Sequence, residues 1–358
     1  MSLLDLARPN IRALKPYASA RALANSAGVL LNANENPWPP AGDDGLALNR
    51  YPEPQPEILC RKLADHFGIE TAQLLVTRGS DEGIDLLVRS FCEPGQDRVM
   101  INTPCFGMYA LSARIQNAEV IDVPLIEVET DDPKAGDWLL DLPAIAAAAA
   151  SKLTFLCSPN NPTGNQIPVD TVIELARSRR GHGLLVIDEA YIEFSEQPSL
   201  ISRLAEADNL VVLRTLSKAF GLAGCRIGAV IAHPEVIGLL RRIIPPYPLP
   251  TPSVTAALQA LENGQDWHTH VATLNHEKAE LVAFLQSLPA VRRRWPGAAN
   301  FVLLRVDDGP GLVARAAEAG IRLRDQSSQP GLQNCVRISI GTPEENQTLM
   351  TFLKEWAA

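Results

Sequence analysis

Along the first two thirds of the chain, short apolar runs alternate with longer stretches of helical periodicity. The runs predict strands at Leu74–Thr77, Arg98–Asn102, Glu119–Val123, Leu153–Cys157, Leu184–Asp188, Leu210–Arg214 and Ile227–Ala232. Helical patterns fill 80–92, 105–116 and 169–181 between them. This alternation implies βα units and a mainly parallel sheet with helices on both faces. Several of the runs are continuously apolar, as strands buried on both faces require. The texture changes after residue 251. Long helices at about 253–263 and 268–288 precede strands at 300–306, 321–324 and 335–340, which reads as a smaller α+β domain. A last helix starts at Thr342, with Pro343 at the first helical position and Glu345 completing a capping box. Residues 36–56, rich in Pro, Gly and Asp, read as an irregular arm, and the alanine run 144–150 as a surface helix.

Composition narrows the classes of partner. The 358 residues include 41 acidic and 32 basic ones, a formal net charge of −9. That balance argues against nucleic acid or an anionic membrane as the main partner. No apolar run approaches the ~20 residues of a membrane span, and the N-terminus lacks the order of a secretory signal. The six cysteines show no C-x-x-C pair, which suits scattered reduced thiols in the cytoplasm. His268 and His270 point apart on a helix, so no metal site is expected there. Lysine is scarce, at positions 15, 62, 134, 152, 218, 278 and 354 only, and this leaves few candidates for an amine nucleophile.

In open α/β sheets ligands sit outside the carboxyl ends of the strands, so the polar residues there carry the chemistry. L-L-V-I-D-E-A-Y ends a strand at Asp188, with Tyr191 three residues on. A carboxylate in that position needs a partner, and a protonated ring nitrogen supplies one as well as a helix cap or an ion pair does. L-V-V-L-R-T-L-S-K places Lys218 just past another strand, after Thr215 and Ser217, with Arg226 eight residues on. Hydroxyls, loop amides and an arginine suit a phosphate. A desolvated lysine near other cations has a lowered amine pKa and becomes a usable nucleophile, although an exposed lysine in a glycine-rich turn is the commoner case. S-P-N-N-P-T-G (158–164) fixes an irregular loop from which Asn161 points an amide into the site. In T-R-G-S-D-E-G (77–83), Gly79, Ser80 and Asp81 bring free amides to a helix N-terminus, where anions bind. A lysine, an acid, an anion cradle and a phenol–amide pair together match the aldehyde, ring nitrogen, phosphate and phenolic oxygen of pyridoxal phosphate.

These strings resemble those of fold-type I aminotransferases, and more narrowly of the histidinol-phosphate aminotransferase family. The narrower resemblance rests on L-N-A-N-E-N-P (31–37), N-R-Y-P-E (49–53), R-G-S-D-E-G-I-D-L-L (78–87), F-G-M-Y (106–109), P-Y-P-L-P-T-P (246–252), I-R-L-R-D-Q (321–326) and V-R-I-S-I-G-T (336–342). They occur in family order over nearly the whole chain. The resemblance implies a seven-stranded, mainly parallel sheet in a large pyridoxal-phosphate-binding domain (46–250). It also implies a small C-terminal domain (251–358) and an N-terminal arm (1–45) packed on it. Lys218 would hold the cofactor as a Schiff base and shuttle the proton. Asp188 would keep the ring nitrogen protonated, Tyr191 and Asn161 would bond the ring oxygen, and Phe106 would stack on the ring. Gly79, Ser80, Asp81, Thr215, Ser217 and Arg226 would hold the phosphate. Tyr51 would reach the neighbouring active site of a homodimer. Tyr17, Asn34, Arg324 and Arg337 would bind substrate, the arginines accepting phosphate or carboxylate through their forks. The implied reaction is transamination between histidinol phosphate and 2-oxoglutarate. An aromatic-amino-acid aminotransferase or a threonine-phosphate decarboxylase-like lyase would share the cofactor strings.

Overall fold

A computed structural model of the chain describes residues 2–17, 28–132, 134–148, 150–262 and 265–357. Ten residues of the expected N-terminal arm, 18–27, lie outside the described residues. The strands in chain order are β1 (Leu74–Thr77), β2 (Arg98–Ile101), β3 (Glu119–Asp122), β4 (Ile126–Glu129) and β5 (Gly136–Leu139). They continue as β6 (Leu153–Cys157), β7 (Leu184–Asp188), β8 (Leu210–Thr215) and β9 (Gly228–Ala232). The last are β10 (Arg293–Trp295), β11 (Phe301–Arg305), β12 (Arg324–Asp325) and β13 (Cys335–Ser339).

Seven of these form one sheet in the order β1-β9-β8-β7-β6-β2-β3. All seven expected strands are present, within a residue or so of their expected ends. Only β9 runs against its neighbours, β1 and β8; the remaining pairs are parallel. The cause of the continuous apolar runs is visible along β7. Leu185 and Ile187 pack into one helical layer, and Leu184 and Val186 into the other. A period-two strand with both faces covered has no polar positions to spare. Each fully buried aliphatic side chain contributes roughly 1.5–3 kcal/mol.

A four-stranded antiparallel sheet, β10-β11-β13-β12, stands beside the helix Gln265–Ser287 and the final helix Pro343–Trp356. The final helix starts as expected: Thr342 accepts from the Glu345 amide at 3.2 Å, and Glu345 accepts from the Thr342 amide at 2.9 Å. The strand expected at 321–324 shrinks to Arg324–Asp325 at the sheet edge. The helix expected over the alanine run begins earlier, at Leu142, because Asp141 caps it through the Ala144 amide. That helix ends at Ala147 and buries Ile145, so it is anchored rather than simply lying on the surface. The β4–β5 hairpin was not expected; β4 alternates Ile126-Glu127-Val128-Glu129, but at four residues with both ends exposed it offers only a short signal.

The two sheets meet at a pair of glycines. Ala298 donates to the Gly164 carbonyl at 2.8 Å, and Lys278 Nζ donates to the carbonyls of Gly297 and Ala299 at 3.1 and 3.0 Å. A Cβ on Gly164 would come within 2.9 Å of the Gly297 Cα, and both residues have positive φ, 78° and 52°. Neither position tolerates a side chain without separating the backbones. Gly297→Val therefore lowers the unfolding free energy by about 2–4 kcal/mol, as read from the shift of the urea midpoint.

Candidate active site

The sheet topology gathers the site. The carboxyl ends of β1, β6, β7 and β8 lie along one edge. β9 runs the other way, so its start arrives at that same edge, where Gly228 is paired with both Thr77 and Thr215. Arg226, two residues upstream, is delivered there too, although it follows no parallel strand. Gly228 is required: a Cβ would strike the backbone of Gly79 and Ser80.

A cavity of about 730 Å³ opens at this edge. Its lining includes Ser80, Asp81, Phe106, Asn161, Asp188, Tyr191, Thr215, Ser217, Lys218, Arg226, Arg324 and Arg337. Gly79 sits directly behind it as the cap of the helix Ser80–Phe91, with φ 76°. The sequence therefore brought thirteen of its candidates together across 259 positions of chain, from Gly79 to Arg337. Tyr17, Asn34 and Tyr51 do not line this cavity. Tyr17 is 75% exposed, and Tyr51 stacks on Tyr247 with ring centres 4.5 Å apart.

Lys218 follows β8 and lines the cavity, and by surface area it is an exposed residue. Its Nζ is 5.5 Å from the centre of the Tyr191 ring. Desolvation lowers its amine pKa from the ordinary value, and Arg337 and Arg226 lower it further, against the opposing pull of Asp81 and Asp188. Asp188 ends β7 and is buried. It accepts from the Ala190 amide at 3.0 Å and from the Tyr109 hydroxyl at 2.8 Å. Burial pushes its pKa up to about 6, although both hydrogen bonds pull the other way. Tyr191 receives a bond from Asn161 Nδ2 at 3.3 Å, and burial raises its phenol pKa.

Arg226 is held on three sides. It donates to Ser217 Oγ at 3.3 Å and to the Ala223 carbonyl at 3.2 Å, and pairs with Asp81 at 3.2 Å. A Cβ on Gly79 would meet its guanidinium, so glycine lets the arginine lie across the helix N-terminus. That cluster is an anion cradle. A second one faces it from the smaller sheet. Arg337 on β13 is register partner to Arg324 on β12 and donates to Asn161 Oδ1 at 2.5 Å. Its guanidinium lies 5.2 Å from the centre of the Phe301 ring, and its Nε is buried without a protein partner. A half-buried arginine whose enclosed Nε has a spare hydrogen suits an anionic ligand.

Three features escaped the sequence reading. Tyr109 belongs to the F-G-M-Y string, but nothing in the chain ties it to an aspartate 79 positions away. Gln326 and Gln329 line the cavity, joined by a bond of 3.0 Å. Arg214 is buried between Glu189 and Glu193, at 3.6 and 2.6 Å, and fixes the loop after β7 against the end of β8. Glu189 is the second residue of the D-E-A-Y string and Glu193 follows two residues after it; an arginine inside the apolar β8 run was the available clue. Among the described residues there is no group of His, Cys, Asp and Glu able to hold a metal ion, and no helix is long and apolar enough to cross a membrane.

A buried carboxylate, a lysine of lowered basicity and a cluster of anion-binding groups, lining one cavity at the carboxyl edge of this sheet, match a fold-type I pyridoxal-phosphate-dependent transferase. The residues fit that cofactor: the buried Asp188 carboxylate would be offset by a cationic ring nitrogen, and the Arg226 guanidinium, lying over Gly79 at a helix N-terminus, would meet a phosphate. The sequence model for aminotransferases of class I and II matches residues 28–353, and the chain belongs to that family. It is 46% identical over 359 aligned positions to the histidinol-phosphate aminotransferase of Xylella fastidiosa strain 9a5c, covering 99% of this chain and 97% of that one. It is similarly 46% identical to the histidinol-phosphate aminotransferase of Stenotrophomonas maltophilia, over 98% and 96% of the two chains. The crystal structure of histidinol-phosphate aminotransferase from Sinorhizobium meliloti, in complex with pyridoxal-5'-phosphate, superposes with a TM-score of 0.75 at 25% identity, over 90% of this chain and 89% of that one.

Proposed function

We propose that this chain catalyses transamination between L-histidinol phosphate and 2-oxoglutarate, giving imidazole-acetol phosphate and glutamate, with pyridoxal 5'-phosphate as its resident cofactor. One observation carries the reading: a single lysine stands between two separate anion-binding clusters in one cavity. The cluster of Gly79, Ser80, Asp81, Thr215, Ser217 and Arg226 holds the cofactor phosphate. The pair Arg324 and Arg337 holds the far end of the substrate, whether a phosphate or a carboxylate, since an arginine fork accepts either. A donor–acceptor pair with those two anions needs this dual acceptance. Sequence similarity to the relatives above supports the same choice.

When bound, the cofactor supplies an electron sink for the carbon that loses its proton. Asp188 keeps the ring nitrogen protonated, Tyr191 and Asn161 donate toward the ring oxygen, and Phe106 covers one face. Lys218 holds the cofactor by its aldehyde. Once freed, Lys218 Nζ takes the proton from the amine-bearing carbon of the donor, and in the reverse half it protonates the acceptor carbon. Its lowered basicity makes the neutral amine available near neutral pH.

The assembly in this reading is a homodimer. Tyr51 reaches the cavity of the second copy, and Tyr17 and Asn34 complete a substrate site. Exposed Tyr17, Val29, Leu31 and Trp38 on the arm support a face that another copy covers. The division in this reading is a large domain (46–250) and a small domain (251–358); the arm (1–45), expected on the small domain, instead begins against the large one, where Leu3, Leu6 and Ala7 are buried with Val88, Phe91 and Val236 and Arg8 donates to the Arg89 carbonyl. Six free thiols support a reducing, cytoplasmic compartment.

Arg337→Lys keeps the charge and loses the fork. It lowers kcat/KM for glutamate and for histidinol phosphate by roughly 100-fold each, as measured in separate half-reactions. The substrate assignment is tested by absorbance titration of the loaded protein. Histidinol phosphate bleaches the cofactor's visible band, and 2-oxoglutarate restores it. Carbon dioxide release from an amino-acid phosphate without amino transfer would replace this reading with a lyase, and a broad response to aromatic amino acids would widen it.

A further inference from the structure

Tyr109 has no role in the scheme above, yet it is among the most enclosed large side chains in the protein. It sits in the helix Met108–Ile115, three residues after Phe106. Its ring stacks on Phe155 of β6, with centres 5.0 Å apart and planes 6° from parallel. Phe106 meets the same ring edge-on, at 5.7 Å and 83°. Its hydroxyl donates to Asp188 Oδ2 at 2.8 Å. A buried tyrosine hydroxyl takes a partner, but here the partner is the one carboxylate assigned to the cofactor ring.

We propose that Tyr109 is a positioning residue that keeps the Asp188 carboxylate ionised and aimed at the cofactor ring nitrogen, while its ring backs the Phe106 wall. The inference rests on the cofactor reading and adds a residue to it. The groups facing Asp188 decide the sign. Asp81, from the helix Ser80–Phe91, disfavours its charge, and Lys218, after β8, favours it. Cys157 at the end of β6 and Tyr191 on the following loop are neutral, with burial raising both pKa values. Cys105, beside Tyr109, is pushed up to about 12 by burial and is neutral as well. Among the described residues two hydrogen-bond donors oppose the desolvation of Asp188, the Ala190 amide and the Tyr109 hydroxyl, and the hydroxyl is the larger influence. Removing it raises the pH at which Asp188 takes up a proton.

The test measures the affinity of the cofactor-free full chain for pyridoxal phosphate, from the visible band, between about pH 5.5 and 8.5. It compares wild type with Tyr109→Phe, which keeps the stack on Phe155. A shift of about one pKa unit makes the variant bind up to about tenfold more weakly at the acid end. The two proteins differ by less than about twofold at the alkaline end, where Asp188 is ionised in both. Equal affinities throughout, or a deficit constant with pH, overturn the proposal; the latter makes Tyr109 a packing residue only. Asp188→Asn, with and without Tyr109→Phe, closes a double-mutant cycle. The hydroxyl then changes affinity by less than about twofold, and a further tenfold loss overturns the proposal even where Tyr109→Phe alone does not fold. A wild-type protein that takes up no pyridoxal phosphate at any pH removes the cofactor reading itself, and Tyr109 with it.

Discussion

Lys218→Ala abolishes turnover. We expect kcat to fall by roughly four orders of magnitude or more, because the substitution removes both the covalent anchor and the group that moves the proton. No other side chain in the cavity can take over. Of the seven lysines, Lys218 alone lines it. Lys278, the other lysine whose basicity burial lowers, is committed to two backbone carbonyls at the junction of the sheets. The cofactor phosphate cradle is untouched by the change, so the variant still binds pyridoxal phosphate, more weakly, and its far-ultraviolet spectrum and melting temperature stay near wild type. Steady-state turnover within tenfold of wild type would exclude Lys218 as the working amine.

The second large effect has two opposite signs. Asp188→Asn lowers kcat by roughly a thousandfold, since a neutral amide cannot hold the ring nitrogen protonated as the substrate carbon loses its proton. The same change stabilises the cofactor-free protein at neutral pH. Asp188 is fully enclosed, and its pKa rises from an ordinary 3.8 to about 6 on folding. A group whose folded pKa is raised favours folding while protonated, below about pH 4. That advantage is lost as pH climbs through 6, and above 6 the buried charge is a net cost. A shift of this size corresponds to about 3 kcal/mol at pH 7.5. The asparagine does not recover all of it, because it places an amide donor opposite either the Ala190 amide or the Tyr109 hydroxyl. The expected gain is therefore about 1–3 kcal/mol in urea unfolding at pH 7.5, shrinking toward zero near pH 4. A variant no more stable than wild type at pH 7.5 would contradict the burial argument. In the proposed binding mode, loading with cofactor returns the advantage to the wild type, because the ring nitrogen would supply the missing countercharge.

The large sheet was legible because its strands are buried on both faces. Val186, Ile187, Val211 and Val212 leave no alternative to a central strand, and the residues after Asp188, Thr215 and Cys157 then had to stand at one edge. The meeting of Gly79, Asp81 and Arg226 at one edge was legible for the same reason, once Gly79 marked a tight strand-to-helix turn. The smaller sheet was harder. β12 is two residues long, held by Gln326 donating to Cys335, and two residues give no periodicity to detect. The β4–β5 hairpin pairs Glu127 with Trp138 and packs Trp138 against Trp295; its two four-residue strands alternate, but a period so short is easily missed. Tyr109 and Arg214 stayed hidden because each acts on a partner far away in sequence. A buried tyrosine and a buried strand arginine announce that they need partners, but only the fold says which. Tyr17, Asn34 and Tyr51 rest on resemblance alone: none of them lines the cavity, and of the three Tyr51 is the one assigned to a neighbouring copy.

The account stands on one covalent attachment, and that attachment can be trapped. The purified protein is incubated with pyridoxal phosphate, reduced with borohydride, digested and sequenced by mass spectrometry. A pyridoxyl group on the peptide carrying Lys218, and on no other lysine, is the predicted result. The label on Lys278 or another lysine, or no label with the protein folded, would contradict it.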